Sequence, residues 1–485
     1  MHTSIWQNTP LKRFPPLEGD VTTQAAVIGG GMAGLLTAYW LGQRGVKTLV
    51  LEAGQIAGGQ TGRTTAKITS QHGLIYARLI RQFGRELAAQ YATANQQAID
   101  AYERIIRERG IDCSFSRRGA CLFSTQETTP LMEEAEAAAS LGLPAAFSRE
   151  TGLPFAAAGI VRFADQAQFH PLRFLAGIVP ALDVREDTRV TRVEGHTIHT
   201  DRGRVTAEHI VFAAHFPFVN VPGLYFMRMH QERSYVLALR SGWLPRDMYL
   251  GIDGDALSLR EAEGLLLLGG GGHRTGENRQ GGRYEALTGQ ARTLFPGSRE
   301  AARWSAQDCM TLDGVPYIGQ YSRSAPDWYV ATGFGKWGMT SSMVAAQTIA
   351  GMICGETPSW AEVFSPRRFR LSASAQALAN ETGHAVRGLT RELLGLPRGA
   401  ADDLPRGHGG IVEAQGRKLG VYKDEQGTLF TVDARCPHLG CQLEWNPDER
   451  TWDCPCHGSR FAYDGALLDG PAQITLPAQQ EQPEE

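Results

Sequence analysis

The chain has 485 residues, 42% of them apolar and 20% charged, which is enough to bury a large core and to divide into two to four domains. A formal charge of -3 is too balanced for a nucleic-acid binder, and no apolar run reaches membrane-spanning length. The first twenty residues lack the apolar stretch and cleavage site of a secretory signal and any twin-arginine pair, so a cytoplasmic location is expected.

In chain order, AAVIGGG (25–31) is a short apolar run ending in glycines, and MAGLLTAYWLGQRG has the apolar spacing of a helix that stops at Gly45. KTLVLEAG follows as a second strand. Residues 75–110 read as helical, CSFSRRGACLFS as a hairpin and PLMEEAEAAASLG as another helix. Paired strands over 188–214 end in HIVFAAH, and 225–305 mixes strands with turns rich in Gly and Arg. The glycine run LLLLGGGGHRTG (265–276) lacks a following helix or acidic strand end, so it reads as a turn rather than a second dinucleotide site. Near 328 a strand, a glycine turn and an apolar helix recur. Residues 357–404 read as a helical connector and linker, and 476–485 as a polar tail.

Charge is unevenly spread. Residues 401–485 carry 15 acidic and 7 basic side chains, or -8, leaving +5 upstream. The simplest reading is a solvated acidic surface, with docking of that segment on the basic body as the alternative.

Gly29, Gly31 and Gly34 form G-x-G-x-x-G between a strand and a helix. The first glycine permits the turn, the second lets a pyrophosphate approach the backbone, and the third lets helix pack on strand. Phosphate then sits at the helix N-terminus. Glu52, 23 residues after Gly29, ends the second strand where it can accept ribose hydroxyls. The loop GGQTGRTTAKIT, rich in small and hydroxyl residues, suits a buried flavin better than NAD.

Through VIGGGMAGL, LVLEAG, GGQTGRTTA, TLDGVPYIG and GFGKWGMTSS, residues 20 to about 355 resemble the D-amino-acid oxidase (glycine oxidase-like) class of FAD-dependent oxidoreductases. The resemblance implies an α/β FAD-binding domain, Rossmann-like and of glutathione-reductase type, interleaved with an α+β substrate domain over residues 1–356. It also implies FAD held by Gly29, Gly31, Gly34, Glu52, Gly58, Thr61, Gly62, Arg63 and Thr64, with Val190 at the adenine. Gly333, Gly335, Gly338, Met339 and Thr340 would lie against the isoalloxazine. Lys336 and Trp337 in that last turn, with His72, head the catalytic candidates. Behind them come His170, His215, His230, His273 and Tyr235, with Arg228 and Arg233 as carboxylate binders and Cys309 as a covalent flavin anchor.

In the tail, Cys436-Pro-His438 and Cys454-Pro-Cys-His457 are separated by fifteen residues. Two thiolates and two imidazoles suit either a tetrahedral zinc or a [2Fe-2S] centre with mixed ligands. Together with Ser459 in CHGS and Gly470-Pro471-Ala472, this stretch resembles the Rieske [2Fe-2S] family over 405–475. What the resemblance implies is a small all-β domain, a cluster on Cys436, His438, Cys454 and His457, and a Cys441–Cys456 disulfide. Phe461 stands where respiratory relatives carry a Tyr that hydrogen-bonds a ligand sulfur, so an intermediate potential is expected.

The implied activity is oxidation of a small amine or amino-acid-like substrate, with electrons leaving singly through the cluster to an external acceptor. Two alternatives stand beside it: a reductase or monooxygenase component fed through the cluster, and a non-enzymatic redox sensor or docking protein.

Overall fold

The computed structural model describes residues 3–254, 256–368, 404–414 and 417–477. The connector expected over 357–404 lies, from 369 to 403, outside the described residues, as does the tail from 478.

Three buried apolar layers organise the chain. The first rests on an eight-stranded sheet whose centre is parallel, with Val21–Ile28 paired to Thr48–Leu51 on one side and to Arg204–Phe212 on the other. Ala25, Ala26 and Val27 are wholly buried, as a central parallel strand covered on both faces requires. Helix Met32–Gly42 is buried nearly all round because it is wedged between this sheet and helix Gly338–Ile353.

The second layer is a nine-stranded, mostly antiparallel sheet. Its strands alternate along the chain with those of the first sheet, which is the interleaving expected from sequence. Here Met229–Arg240 lies between Leu265–Arg274 and Arg299–Thr311.

Two local expectations fail. CSFSRRGACLFS forms no hairpin: Ser116–Ser124 is one strand, with a register shift between Arg118 and Ala120, that lies between Gly159–Gln168 and Met248–Gly251, because its partners come from far along the chain. LLLLGGGGHRTG is not a turn but the strand Leu265–Arg274. Its glycines occur where other groups approach closely, a Cβ on Gly272 lying 3.5 Å from Lys336 Nζ and one on Gly269 3.3 Å from Ser258 Cβ. Helix Arg283–Leu294 was not anticipated.

The third layer is the C-terminal module, made of a three-stranded sheet (His408–Ala414, Arg417–Lys423, Leu429–Asp433) and a four-stranded one (Glu444–Asn446, Thr451–Asp453, Arg460–Ala462, Leu467–Asp469). Tyr422, Trp445, Trp452 and Phe461 fill its core. Among the described residues no helix is long and apolar enough to cross a membrane.

Candidate active site and metal centre

The glycine turn is close-packed in the literal sense. Gly29 has φ 113°, and a Cβ there would lie 2.5 Å from Ala213 O. A Cβ on Gly34 would lie 1.9 Å from Gly29 O, so the helix can sit on the strand only without it. Glu52 accepts hydrogen bonds from the Gly30 N–H (2.7 Å) and the Gly54 N–H (2.9 Å). Burial raises its pKa, and those two bonds with the charge of Arg189 oppose the rise.

These residues open onto a cavity of about 1250 Å³. Of the positions singled out in the sequence, Gly29, Gly31, Glu52, Gly58, Thr61, Arg63, Thr64, Val190, Gly333, Gly335, Gly338 and Met339 line it. The other three sit behind the wall. Gly34 packs helix on strand, Gly62 accepts a hydrogen bond from Ser4 Oγ, and Thr340 Oγ1 bonds both the N–H and the C=O of Thr69 at 2.9 Å.

Lys336 and Trp337 also face the cavity. His72 does not: its ring stacks behind Trp337 at 4.7 Å and its Nδ1 meets Tyr91 Oη at 2.5 Å. Burial drives its pKa down to about 3, so it stays neutral and supports the tryptophan. His170 caps helix Pro171–Ile178, whereas His215, His273 and Tyr235 reach the cavity. Neither arginine is placed to bind a substrate carboxylate. Arg228 stacks on Tyr225 and Tyr317, and Arg233 is buried against Glu449 of the C-terminal module.

Sequence reading missed Glu232 and Asp308, two of the carboxylates that line the cavity. Glu232 and Asp308 lie directly opposite each other on paired strands, and Lys336 Nζ joins Glu232 at 2.9 Å. Like charges facing across a sheet repel, and the lysine offsets this. Burial opposes the charge on Lys336, but Glu232 and Asp308 outweigh it and raise its pKa. Glu232 is lowered to about 2, mainly by His230, while burial lifts Asp308 to about 6. Only an unusual acidic residue within the QDCM run could have signalled this, because strand register is invisible locally.

In the C-terminal module, the loops 434–443 and 454–459 converge. Each is folded on itself, with Cys436 N–H to Cys441 O at 2.8 Å and Cys454 N–H to Ser459 O at 2.8 Å. Cys441 and Cys456 form a disulfide between the loops. The thiols of Cys436 and Cys454 touch, and a hydrogen bond from Cys454 brings Cys436 down to about 7. The imidazoles of His438 and His457 stand perpendicular, 5.0 Å apart. His438 Nδ1 is buried without a hydrogen-bond partner, which leaves its lone pair for a metal. Cys454 also lies near both disulfide sulfurs, but those are already bonded to each other and offer no thiolate. The four remaining donors, two sulfur and two nitrogen, fit a mixed-ligand cluster. Ser459 Oγ accepts a hydrogen bond from the Ala472 N–H at 3.0 Å, closing the proline loop over this site.

Acidic residues of the module do more than face water. Glu449 pairs with buried Arg233, Glu444 with Arg279, and Asp448 accepts a hydrogen bond from Asn278 at 2.8 Å. Part of the charge asymmetry in the sequence is therefore docking electrostatics, contrary to the simpler reading. Residues Leu467, Leu468, Asp469, Gly470, Ala472 and Gln473 of the module line the same cavity as Gly29 and Glu52.

A model of the FAD dependent oxidoreductase family matches residues 24–352, and a Rieske [2Fe-2S] domain model matches 396–480. The chain belongs to the FAD dependent oxidoreductase family and carries a Rieske domain downstream, so its cofactors are FAD and a [2Fe-2S] cluster. It is 36% identical, over 97% of its length and 96% of the relative's, to YhfW of Bacillus subtilis (strain 168), named there provisionally as a Rieske 2Fe-2S iron-sulfur protein. In fold it is similar to glycine oxidase from Geobacillus kaustophilus (TM-score 0.62, 19% identity, 72% of this chain and 100% of that one). L-proline dehydrogenase from P. horikoshii is similar to the same extent (TM-score 0.62, 17% identity, 73% and 98%).

Proposed function

We propose that this oxidoreductase oxidises a small amine or amino-acid-like substrate at its C–N bond and sends the electrons one at a time through the Rieske centre to an external acceptor. The carrying observation is the shared wall: Leu467, Leu468, Asp469, Gly470, Ala472 and Gln473 of the module that would hold the cluster line the cavity that would hold FAD. One side chain spans the remaining gap. Gln231 Oε1 is 3.8 Å from Cys309 Sγ in the cavity wall, and Gln231 Nε2 donates to His457 O at 2.7 Å. Gln307 braces it, donating to Gln231 Oε1 at 2.7 Å and to Gly458 O at 2.8 Å.

In this reading Gly29, Gly31, Glu52 and the 58–64 loop would hold FAD, and Cys436, His438, Cys454 and His457 would hold the cluster. Bound there, FAD supplies a two-electron acceptor and the cluster a one-electron carrier. The protein's own work is positioning and proton handling. A protonated amine must lose its proton before the neighbouring C–H can leave as hydride, and Asp308 has the basicity to take it near neutral pH. Lys336 and Glu232 hold their charges beside it. The amino-acid substrates in the names of the two structural neighbours agree with this class.

Asp308 fixes a pH limb. Its carboxylate form is lost as pH falls through about 6, so kcat/KM should drop about tenfold per unit below that value. Asp308→Asn should abolish the limb and lower the plateau by 100-fold or more, about the contribution of one general base. A limb that survives in the variant would remove Asp308 from proton transfer.

Anaerobic titration of the fully loaded protein with candidate amines and amino acids tests the circuit. Substrate should bleach the flavin and then produce the spectrum of a reduced histidine-ligated cluster, whereas Cys454→Ser should bleach and stop. Bleached flavin beside an oxidised cluster in the unmodified protein would overturn the relay. Reduction only by an added donor would favour a reductase instead.

A further inference from the structure

The geometry points to Asn220, a residue of the flavoprotein body, as the positioning residue for His438 in the Rieske centre. This rests on the proposed ligand set. Asn220 lies in the segment joining strand Arg204–Phe212 to strand Met229–Arg240, and its Oδ1 is 3.1 Å from His438 Nε2.

A carboxamide oxygen only accepts hydrogen bonds, so Nε2 must carry the hydrogen. A neutral imidazole has a single N–H, which puts the free lone pair on Nδ1, the buried atom with no partner. The reversed amide would donate to Nε2 and force the hydrogen onto Nδ1, where it would block a metal. Metal ligation at Nδ1 and an accepting Oδ1 at position 220 therefore demand the same tautomer.

Asn220 is not a loose contact. Its backbone C=O accepts from Leu224 N–H at 3.0 Å, and the preceding Val219 C=O accepts from Tyr321 Oη at 2.6 Å. The same segment supplies Phe226, whose ring centroid is 6.4 Å from that of His438 and 5.7 Å from that of His457, and Phe216, 6.5 Å from His457. His457 is 8% exposed. The chain's own flavoprotein body thus packs against both imidazoles, burying His457 and leaving His438 half-buried, and the module need not swing to face the cavity.

An acceptor on the outer nitrogen of a metal-bound imidazole pushes electron density toward the metal and favours the oxidised cluster. The strength of the acceptor at position 220 should then order the cluster's midpoint potential. In the full-length protein carrying both cofactors, Asn220→Asp should lower the potential, Asn220→Ala should raise it, and both should shift the g-values.

Dithionite titration followed by EPR, with iron content measured per chain, reads this without substrate or flavin turnover. Identical potentials and g-values in all three proteins at full iron content would overturn the assignment. Should Ala and Asp lose iron, Asn220→Ser decides: a shifted potential at full iron supports the role, and an unshifted one, or loss of iron there too, assigns Asn220 to holding the module instead. The relay can fail separately. If substrate-reduced flavin leaves the cluster oxidised while the series still shifts, Asn220 keeps its role and the circuit does not. A wild-type spectrum without histidine-ligated g-values would remove the ligand set and this role together.

Discussion

Replacing Glu449 with alanine should uncouple the C-terminal module from the flavoprotein body. Glu449 bonds Arg233, whose side chain is fully buried, through both carboxylate oxygens, lies 3.2 Å from Arg460 and accepts from Ser305 Oγ. Arg460 keeps Asp453 and Asp469, so the loss falls on Arg233, left with Ser305 and Gln307. Removing one partner of a buried ion pair costs about 3–5 kcal/mol, and the remaining polar partners place this one at about 3 kcal/mol. Because Arg233 belongs to the body and Glu449 to the module, the cost appears at their interface.

Denaturant unfolding followed separately by flavin fluorescence and by cluster absorbance should show coincident transitions in the wild type. In the variant the module transition should move to lower denaturant. Glu449→Gln should do less, since it retains hydrogen bonds. Coincident transitions at the wild-type midpoint in Glu449→Ala would dismiss the pair as a docking element.

Acid should act the same way. Burial alone would raise the Glu449 pKa, but Arg233 and Arg460 outweigh it and hold the carboxyl far below the usual range. A depressed folded-state value means that the stabilisation is complete above the ordinary glutamate range, declines as pH falls below it, and is gone once the depressed value is passed. Asp453, Asp469 and Tyr235 share the neighbourhood, and Asp469 is lowered as well, burial notwithstanding, chiefly by Arg460. Undocking should therefore begin on acidification below about pH 4, a shift that Glu449→Gln should weaken.

Gly34→Ala should give protein that loses its yellow colour but keeps its iron. The added Cβ would meet Gly29 O at 1.9 Å and Val27 Cγ1 at 3.2 Å, and the first is backbone that no rotamer change can move. Relief requires lifting helix Met32–Gly42 from the strand that precedes it, which withdraws its N-terminus from the place prepared for pyrophosphate. An overpacking cost of about 3 kcal/mol, if borne by binding, weakens FAD about 100-fold. The FAD-to-protein ratio and a dissociation constant from fluorescence quenching check this, with iron content as the control. Full FAD occupancy in the variant would mean that the turn tolerates more than the geometry allows.

Much of the site was legible because its chemistry is local. Three glycines spaced over one turn, and Cys and His two or three residues apart in one loop, impose geometry on a handful of adjacent bonds whatever surrounds them. The apolar runs at 25–31 and 328–332 likewise carry their strand character with them. The failed hairpin at 113–124 and the glycine strand at 265–274 show the limit: the first pairs with strands many residues away, and the second pairs with 232–239 as well as with its neighbour 258–262.

Glycine spacing and the paired Cys-His loops were enough to mark a dinucleotide site and a metal centre, and the family resemblances they carry implied FAD and a [2Fe-2S] cluster. Only the tertiary structure could set Glu232 opposite Asp308, bury Arg233 against Glu449, bring Asn220 to His438 and place Leu467, Leu468, Asp469, Gly470, Ala472 and Gln473 in the wall of the cavity that Gly29 and Glu52 line. Those contacts join strands and loops with no shared local pattern, and their energies depend on burial and on distance across the fold, which no window of sequence contains.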